Sequence, residues 1–247
     1  MKVLSTYSIK GGVGKTSAAV NLACIAAQSG EPVLLWDLDP QGSATYLMRV
    51  RPKVKGGAKA IVRRKRPLDE AIRATDHPNL DMVPADLSYR HLDLALDRTK
   101  RPTRRLSTLL RPFASDYAYV ILDCAPSLSL TSESIIGASD ALLVPMIPTT
   151  LSARTLDQLV QFLNSRKRPS PDVLVFFSLA DRRKRLHRDV MSSLSAPHTK
   201  VLQTSIPSTA VVEQMGRHRS PVTDYAPRGA AALAYRQLWD EVRKKLS

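Results

Sequence analysis

The sequence predicts an α/β fold, a mostly parallel twisted sheet of about seven or eight strands flanked by helices. Short apolar or β-branched runs recur at residues 2–8, 32–37, 79–84, 117–123, 141–148 and 172–178, and read as strands. Between them lie segments of helical spacing at 15–29, 87–96, 151–163 and 230–246. Parallel neighbours need crossover connections, which these segments supply, and continuous rather than alternating apolar runs imply burial on both faces of the sheet. With 247 residues, 43% of them hydrophobic, the chain has enough apolar content for one core, so residues 1–247 are expected to form one domain.

The first strand runs directly into Lys10-Gly11-Gly12-Val13-Gly14-Lys15-Thr16-Ser17, and the first helix opens there. Gly11, Gly12 and Gly14 let the backbone approach phosphate oxygens, while successive N–H groups, Val13 and Ser17 included, and the helix N-terminus supply positive potential. Lys15 adds a charge for the β- and γ-phosphates, and Thr16 offers a hydroxyl to Mg²⁺. Glycines, lysine and hydroxyl in register after a strand make a Walker A loop, with Lys10 standing where the usual pattern has glycine.

The second strand ends in Asp37-Leu38-Asp39-Pro40-Gln41-Gly42, and the run 117–123 ends in Asp123-Cys124-Ala125-Pro126-Ser127. Ligands of open parallel sheets sit beyond the carboxyl ends of the strands, so these acids should converge on the phosphate loop. Asp123, after four apolar residues, reads as the Walker B acid that holds the metal. Asp37 is expected to support the metal shell.

The run Lys-Gly-Gly-Val-Gly-Lys-Thr resembles the deviant Walker A motif of the ParA/MinD family of P-loop ATPases, and most of the chain is similar to its ParA/Soj-like partitioning members. The Asp-x-Asp-Pro-Gln-Gly run and the Asp-Cys-x-Pro-Ser stretch resemble further family motifs. The resemblance implies a P-loop NTPase fold, ATP and Mg²⁺ as ligands, and slow ATP hydrolysis. Lys10 would reach across a homodimer to the partner's phosphates, and Asp39 would orient the attacking water. Pro207, in an Ile206-Pro207 segment that resembles the stretch closing over adenine, is the candidate base contact. The segment 148–154 lacks the glutamine and aromatic residues usual in chromosomal members.

Lys and Arg number 37 against 22 Asp and Glu, a formal charge of +15 that points to a polyanionic partner. Cations recur at 98–111, 166–168, 182–188, 217–219 and 243–245. Arg217, Arg219, Lys244 and Lys245 are the first candidates for non-specific DNA contact. Residues 49–66 carry nine Lys or Arg and no acid, and read as a solvated surface loop or as a polyanion contact. The expected function is therefore an ATPase that binds DNA without base reading and positions a plasmid, chromosome or protein organelle, with a ParB-like or other cargo-adaptor protein stimulating hydrolysis. The chain opens in the first strand, so operator reading by a preceding helix-turn-helix is not expected. Two alternatives stay open. A MinD-like membrane switch would use the stripe Tyr235, Leu238, Val242 and Leu246 with neighbouring cations. A reductase resembling the nitrogenase iron protein would need Cys24 and Cys124 to reach partner cysteines, whereas both read as small buried apolar residues. Two cysteines suit a reducing compartment, so a cytoplasmic, nucleoid-associated protein is expected. No segment approaches the roughly 20 apolar residues of a transmembrane helix.

Overall fold

The apolar runs fold as β1 (Lys2–Thr6), β2 (Val33–Asp37), β4 (Leu80–Val83), β5 (Tyr119–Asp123), β6 (Ala141–Met146) and β7 (Asp172–Ala180) in a computed structural model that describes residues 1–166, 169–195 and 198–246. Two further strands, β3 (Arg73–Ala74) and β8 (Lys200–Pro207), complete one sheet ordered β3-β4-β2-β5-β1-β6-β7-β8. Neighbours pair in parallel except β3 with β4. The two additional strands form the edges. One has two residues, and the other breaks its register against β7 between Val175 and Ala180.

Helices cover both faces. They are α1 (Lys15–Gln28), α2 (Ser43–Leu47), α3 (Gly57–Val62), α4 (Leu92–Asp97), α5 (Arg105–Leu110), α6 (Leu130–Ile136), α7 (Thr150–Ser165), α8 (Arg185–Ser193), α9 (Ala210–Glu213), α10 (Met215–His218), α11 (Val222–Tyr225) and α12 (Ala230–Leu246). Apolar residues of α3 to α8 bury against one side, those of α1, α2 and α9 to α12 against the other. Nearly every residue of α1 is buried, so this helix shows no polar face. It lies over the centre of the sheet, and that position fixes the phosphate loop at its N-terminus.

The basic run 49–66 is not the open loop that its composition suggested. Val54, Ala58, Ile61 and Val62 are buried in the core, and α3 carries three of them. Its entry is pinned by Val54 N donating to Asp86 Oδ2 (3.0 Å) and Ala58 N to Ser88 Oγ (2.8 Å). At the far edge, Glu241 of α12 accepts the Gln203 and Thr204 backbone N–H groups at 2.9 and 3.0 Å, where the β8 register slips. A carboxylate on those donors blunts an edge that would otherwise invite strand pairing.

Candidate functional site

The carboxyl ends of β1, β2 and β5 come level, because Thr6 and Asp37 are both register partners of Asp123. The glycine-rich turn closes above them. Gly12 and Gly14 have φ of 69° and 92°, a left-handed conformation that favours glycine, and a Cβ on Gly14 would stand 2.7 Å from Ser178 Oγ. The first-turn N–H groups of α1 have no acceptor within the helix. They open with Gly11 to Ser17 on a cavity of about 680 Å³. Lys15 lines it too, almost buried, with Nζ donating to the Lys10 carbonyl at 3.2 Å. Burial lowers the Lys15 pKa, and the nearby Asp123 opposes that shift.

The three acids differ in what their oxygens do. Asp123 is fully buried, accepts a long bond from Thr6 Oγ1 (3.4 Å) on Oδ1, and has no partner on Oδ2, with Thr16 beside it. Its pKa is raised by burial first and by the Asp37 charge second. A buried carboxylate oxygen without a donor fits a cation, which would offset both causes. Asp37 is fully buried as well, but Oδ2 accepts the Thr45 N–H (2.8 Å) and hydroxyl (2.7 Å), and Oδ1 accepts the Asp39 N–H (3.1 Å). Asp37, which the sequence placed in support of the metal shell, lies beside Asp123 and uses these bonds to hold the β2–α2 turn. That turn presents Asp39, which lines the cavity and accepts the Gln41 N–H at 2.9 Å.

Lys10 does not line its own cavity. Its Nζ lies 3.5 Å from Ser152 Oγ, at the start of α7.

Residues 1–173 match a family described as an AAA domain. Over 250 residues the chain is 32% identical to the sporulation initiation inhibitor protein Soj of Bacillus subtilis (strain 168), with 98% of each chain covered. It is also 32% identical over 253 residues to the chromosome partitioning protein ParA of Caulobacter vibrioides (strain NA1000 / CB15N), covering 98% of this chain and 94% of that one. The chain belongs to the ParA/MinD family of P-loop ATPases. Among solved structures, a cobyrinic acid a,c-diamide synthase from Mycobacterium smegmatis with bound ATP analog and magnesium superposes with a TM-score of 0.85 at 25% identity, over 99% of this chain and 94% of that one.

In this ParA-type chain the far wall of the cavity comes from residues that the sequence did not single out. Leu179, Val212 and Met215 form its apolar part, whereas Pro207, the expected base contact, closes β8 opposite Ala180 and does not line it. Leu179 itself sits at φ 51°, a strained conformation for a leucine, next to the β7–β8 irregularity. Asn21, fully buried, holds this wall to α1: Nδ2 donates to Ser17 O (2.8 Å) and lies 3.3 Å from Met215 Sδ, while Oδ1 accepts Val222 N (2.8 Å). In the otherwise apolar stretch from Ala18 to Ala27 a lone asparagine was the available signal. The Arg219 guanidinium stacks on Tyr46 at 4.5 Å from the ring centroid and donates to the Tyr46 carbonyl (3.1 Å). Arg49 in turn donates to the carbonyls of His218 and Arg219. These bonds latch α2 to the end of α10 beside the cavity, which Tyr46 and Gly216 line.

That latch occupies Arg219, which the sequence put forward for DNA. Arg217 and Lys245 are exposed, as is Lys244, on a different helix. Of the run 166–168 only Arg166 belongs to the described residues. The apolar stripe of α12, with Tyr235, Leu238, Val242 and Leu246, is buried against the sheet, which leaves it no free apolar face for a membrane. Among the described residues no helix is long and apolar enough to cross one. Cys24 and Cys124 are both buried, as small apolar residues would be.

Proposed function

We propose that this chain is a ParA-like switch that binds Mg·ATP in the cavity between the glycine turn and the Leu179–Met215 wall, closes as a homodimer, and then binds DNA non-specifically to position a cargo. The observation that carries this reading is the combination of an open buried oxygen on Asp123, Asp39 across the cavity, and Lys10 turned away from its own site. The triphosphate lies along Gly11 to Ser17, where N–H groups and Lys15 offset its charge. Thr16 and Asp123 would hold Mg²⁺, which when bound supplies further positive charge to the β- and γ-phosphates. Asp39 orients the attacking water, with Asp37 fixing the turn that carries it. A Lys10 free of its own cavity suits a role in the partner's, where a cation supplied in trans couples nucleotide state to dimerisation. Relatives named for chromosome partitioning support the cargo-positioning role, and a ParB-like or other adaptor would stimulate a slow intrinsic turnover. A nucleoid-associated cytoplasmic location follows from that role.

The test is a titration of random-sequence duplex DNA with protein in the absence of nucleotide, with ADP, with ATP, and with ATP plus the Lys10→Ala variant, at several salt concentrations. Tight, salt-sensitive binding confined to wild type with ATP is expected. Equal affinity in all four conditions would overturn the switch.

A further inference from the structure

None of the cations of residues 49–66 lines the nucleotide cavity, although Arg49 joins the latch beside it, and α3 shows where the others go. After Val62 the chain leaves the helix through Arg63, Arg64 and Lys65, with Arg63 half-buried and Arg64 and Lys65 exposed. Arg64 sits at φ 55°, where its N–H bonds Ile61 O and the next N–H bonds Ala60 O. This is the left-handed position that usually ends a helix with glycine, so the local backbone does not explain an arginine there. The fold then brings a second cationic run to the same place. Arg105 Nε, at the start of α5, donates to the Val62 carbonyl, and the Arg64 charge is close enough to help burial lower the Arg105 pKa. Arg101 and Arg104, both exposed, precede Arg105 in the 3-10 turn Pro102–Arg104 and its N-cap.

Two cationic segments some 40 residues apart in sequence, carrying six cations between them, thus meet where Arg105 joins the end of α3. Among the described residues no carboxylate forms an ion pair with any of them; the nearby Glu70 is engaged by Arg66 instead. Arg63 Nε is buried and has no hydrogen-bond partner. Like charges held together without acids repel, and that arrangement is favourable when a polyanion neutralises it.

We infer that this α3–α5 surface is a second contact face for the phosphate backbone of duplex DNA, separate from Arg217 and the end of α12. The two surfaces lie on opposite sides of the sheet, since α3 and α5 pack into one core layer and α10 and α12 into the other. Five of the six cations are arginines, whose planar donor fork suits phosphate. None of the exposed large apolar side chains falls within residues 58–66 or 101–105, so the surface has nothing to insert into a lipid layer. The face is complete within one protomer, and dimerisation doubles it. The inference rests on the DNA-binding reading above and names the surface that performs it.

The experiment measures anisotropy of a labelled random-sequence duplex against salt, with ATP and Mg²⁺, for wild type, R64Q/K65Q/R104Q, the charge-keeping R64K/R104K, and R217Q/K245Q. The triple variant should bind ~10-fold or more weakly near 0.1 M salt, with its log–log salt slope shallower by about 3 for each protomer in contact. Its Mg·ATP affinity and ATPase rate should match wild type, and R64K/R104K should bind DNA as wild type does. A triple variant with unchanged affinity and slope, while R217Q/K245Q is impaired, would refute this face and leave the switch standing. Wild type that binds DNA under no nucleotide condition would refute both. Loss of binding to phosphatidylserine vesicles with DNA binding intact would also overturn the inference, in favour of a lipid surface.

Discussion

At the phosphate end of the cavity one unbroken run, Gly11 to Ser17, supplies the cradle, the turn after β2 adds Asp39, and Asp123 lies buried at the end of β5. At the opposite end Leu179, Val212 and Met215 arrive from β7, α9 and α10, and are held by core packing, by Asn21 and by the Arg49–Arg219–Tyr46 latch. The first end is set by local backbone geometry, so its residues cannot be exchanged without changing the chemistry. The second is set by packing between distant segments, so substitutions there should alter how firmly a nucleotide is held and leave the reaction itself intact.

Substitutions at the two ends can break that contrast. The largest effect should come from Asp39→Ala, which would remove the group proposed to act on the nucleophile: kcat is expected to fall ~10²–10⁴-fold with ATP affinity little changed. A steady-state assay paired with equilibrium nucleotide binding checks both halves, and an equal loss in affinity would mean that Asp39 holds the ground state. Lys15→Ala comes next, weakening ATP about 10- to 100-fold through loss of a charge-assisted contact worth roughly 1.5–3 kcal/mol. At the other end, Asn21→Ala leaves the buried Val222 N–H unpaired and removes the second donor to the Ser17 carbonyl, and should lower stability by about 1–3 kcal/mol, read as a fall in Tm by calorimetry. The smallest effect belongs to Arg219→Met, which loses the ring stacking and one hydrogen bond, and should weaken ATP roughly 3- to 10-fold with kcat at saturation preserved. If Arg219→Met instead abolished turnover, the division between the two ends would be wrong.

The same contrast explains what could be read in the sequence. The phosphate end is contiguous, and each residue type there answers to one requirement, whether left-handed φ, an open amide, a hydroxyl or a charge, so the run from Lys10 to Thr16 and Asp123 could be assigned directly. Six strands were legible because burial on both faces leaves continuous apolar runs. The edges were not: β8 reads as a mixture of exposed and buried residues, and β3 has two residues. The wall around Met215 is carried by three helices of four residues each, too short to show a period. For Asp37, spacing placed a carboxylate next to the site without saying which hydrogen bonds its oxygens already make. In residues 49–66 charge dominated the composition and hid the buried alanine, isoleucine and valine that dock α3.

In the proposed switch, Asp123 would offer its open oxygen to a cation that joins it to a triphosphate. Titration calorimetry of ATP into wild type and Asp123→Asn, each with and without Mg²⁺, tests it most directly. Mg²⁺ should tighten ATP binding by wild type and lose most of that effect in Asp123→Asn. Equal Mg²⁺ dependence in the two proteins would contradict it.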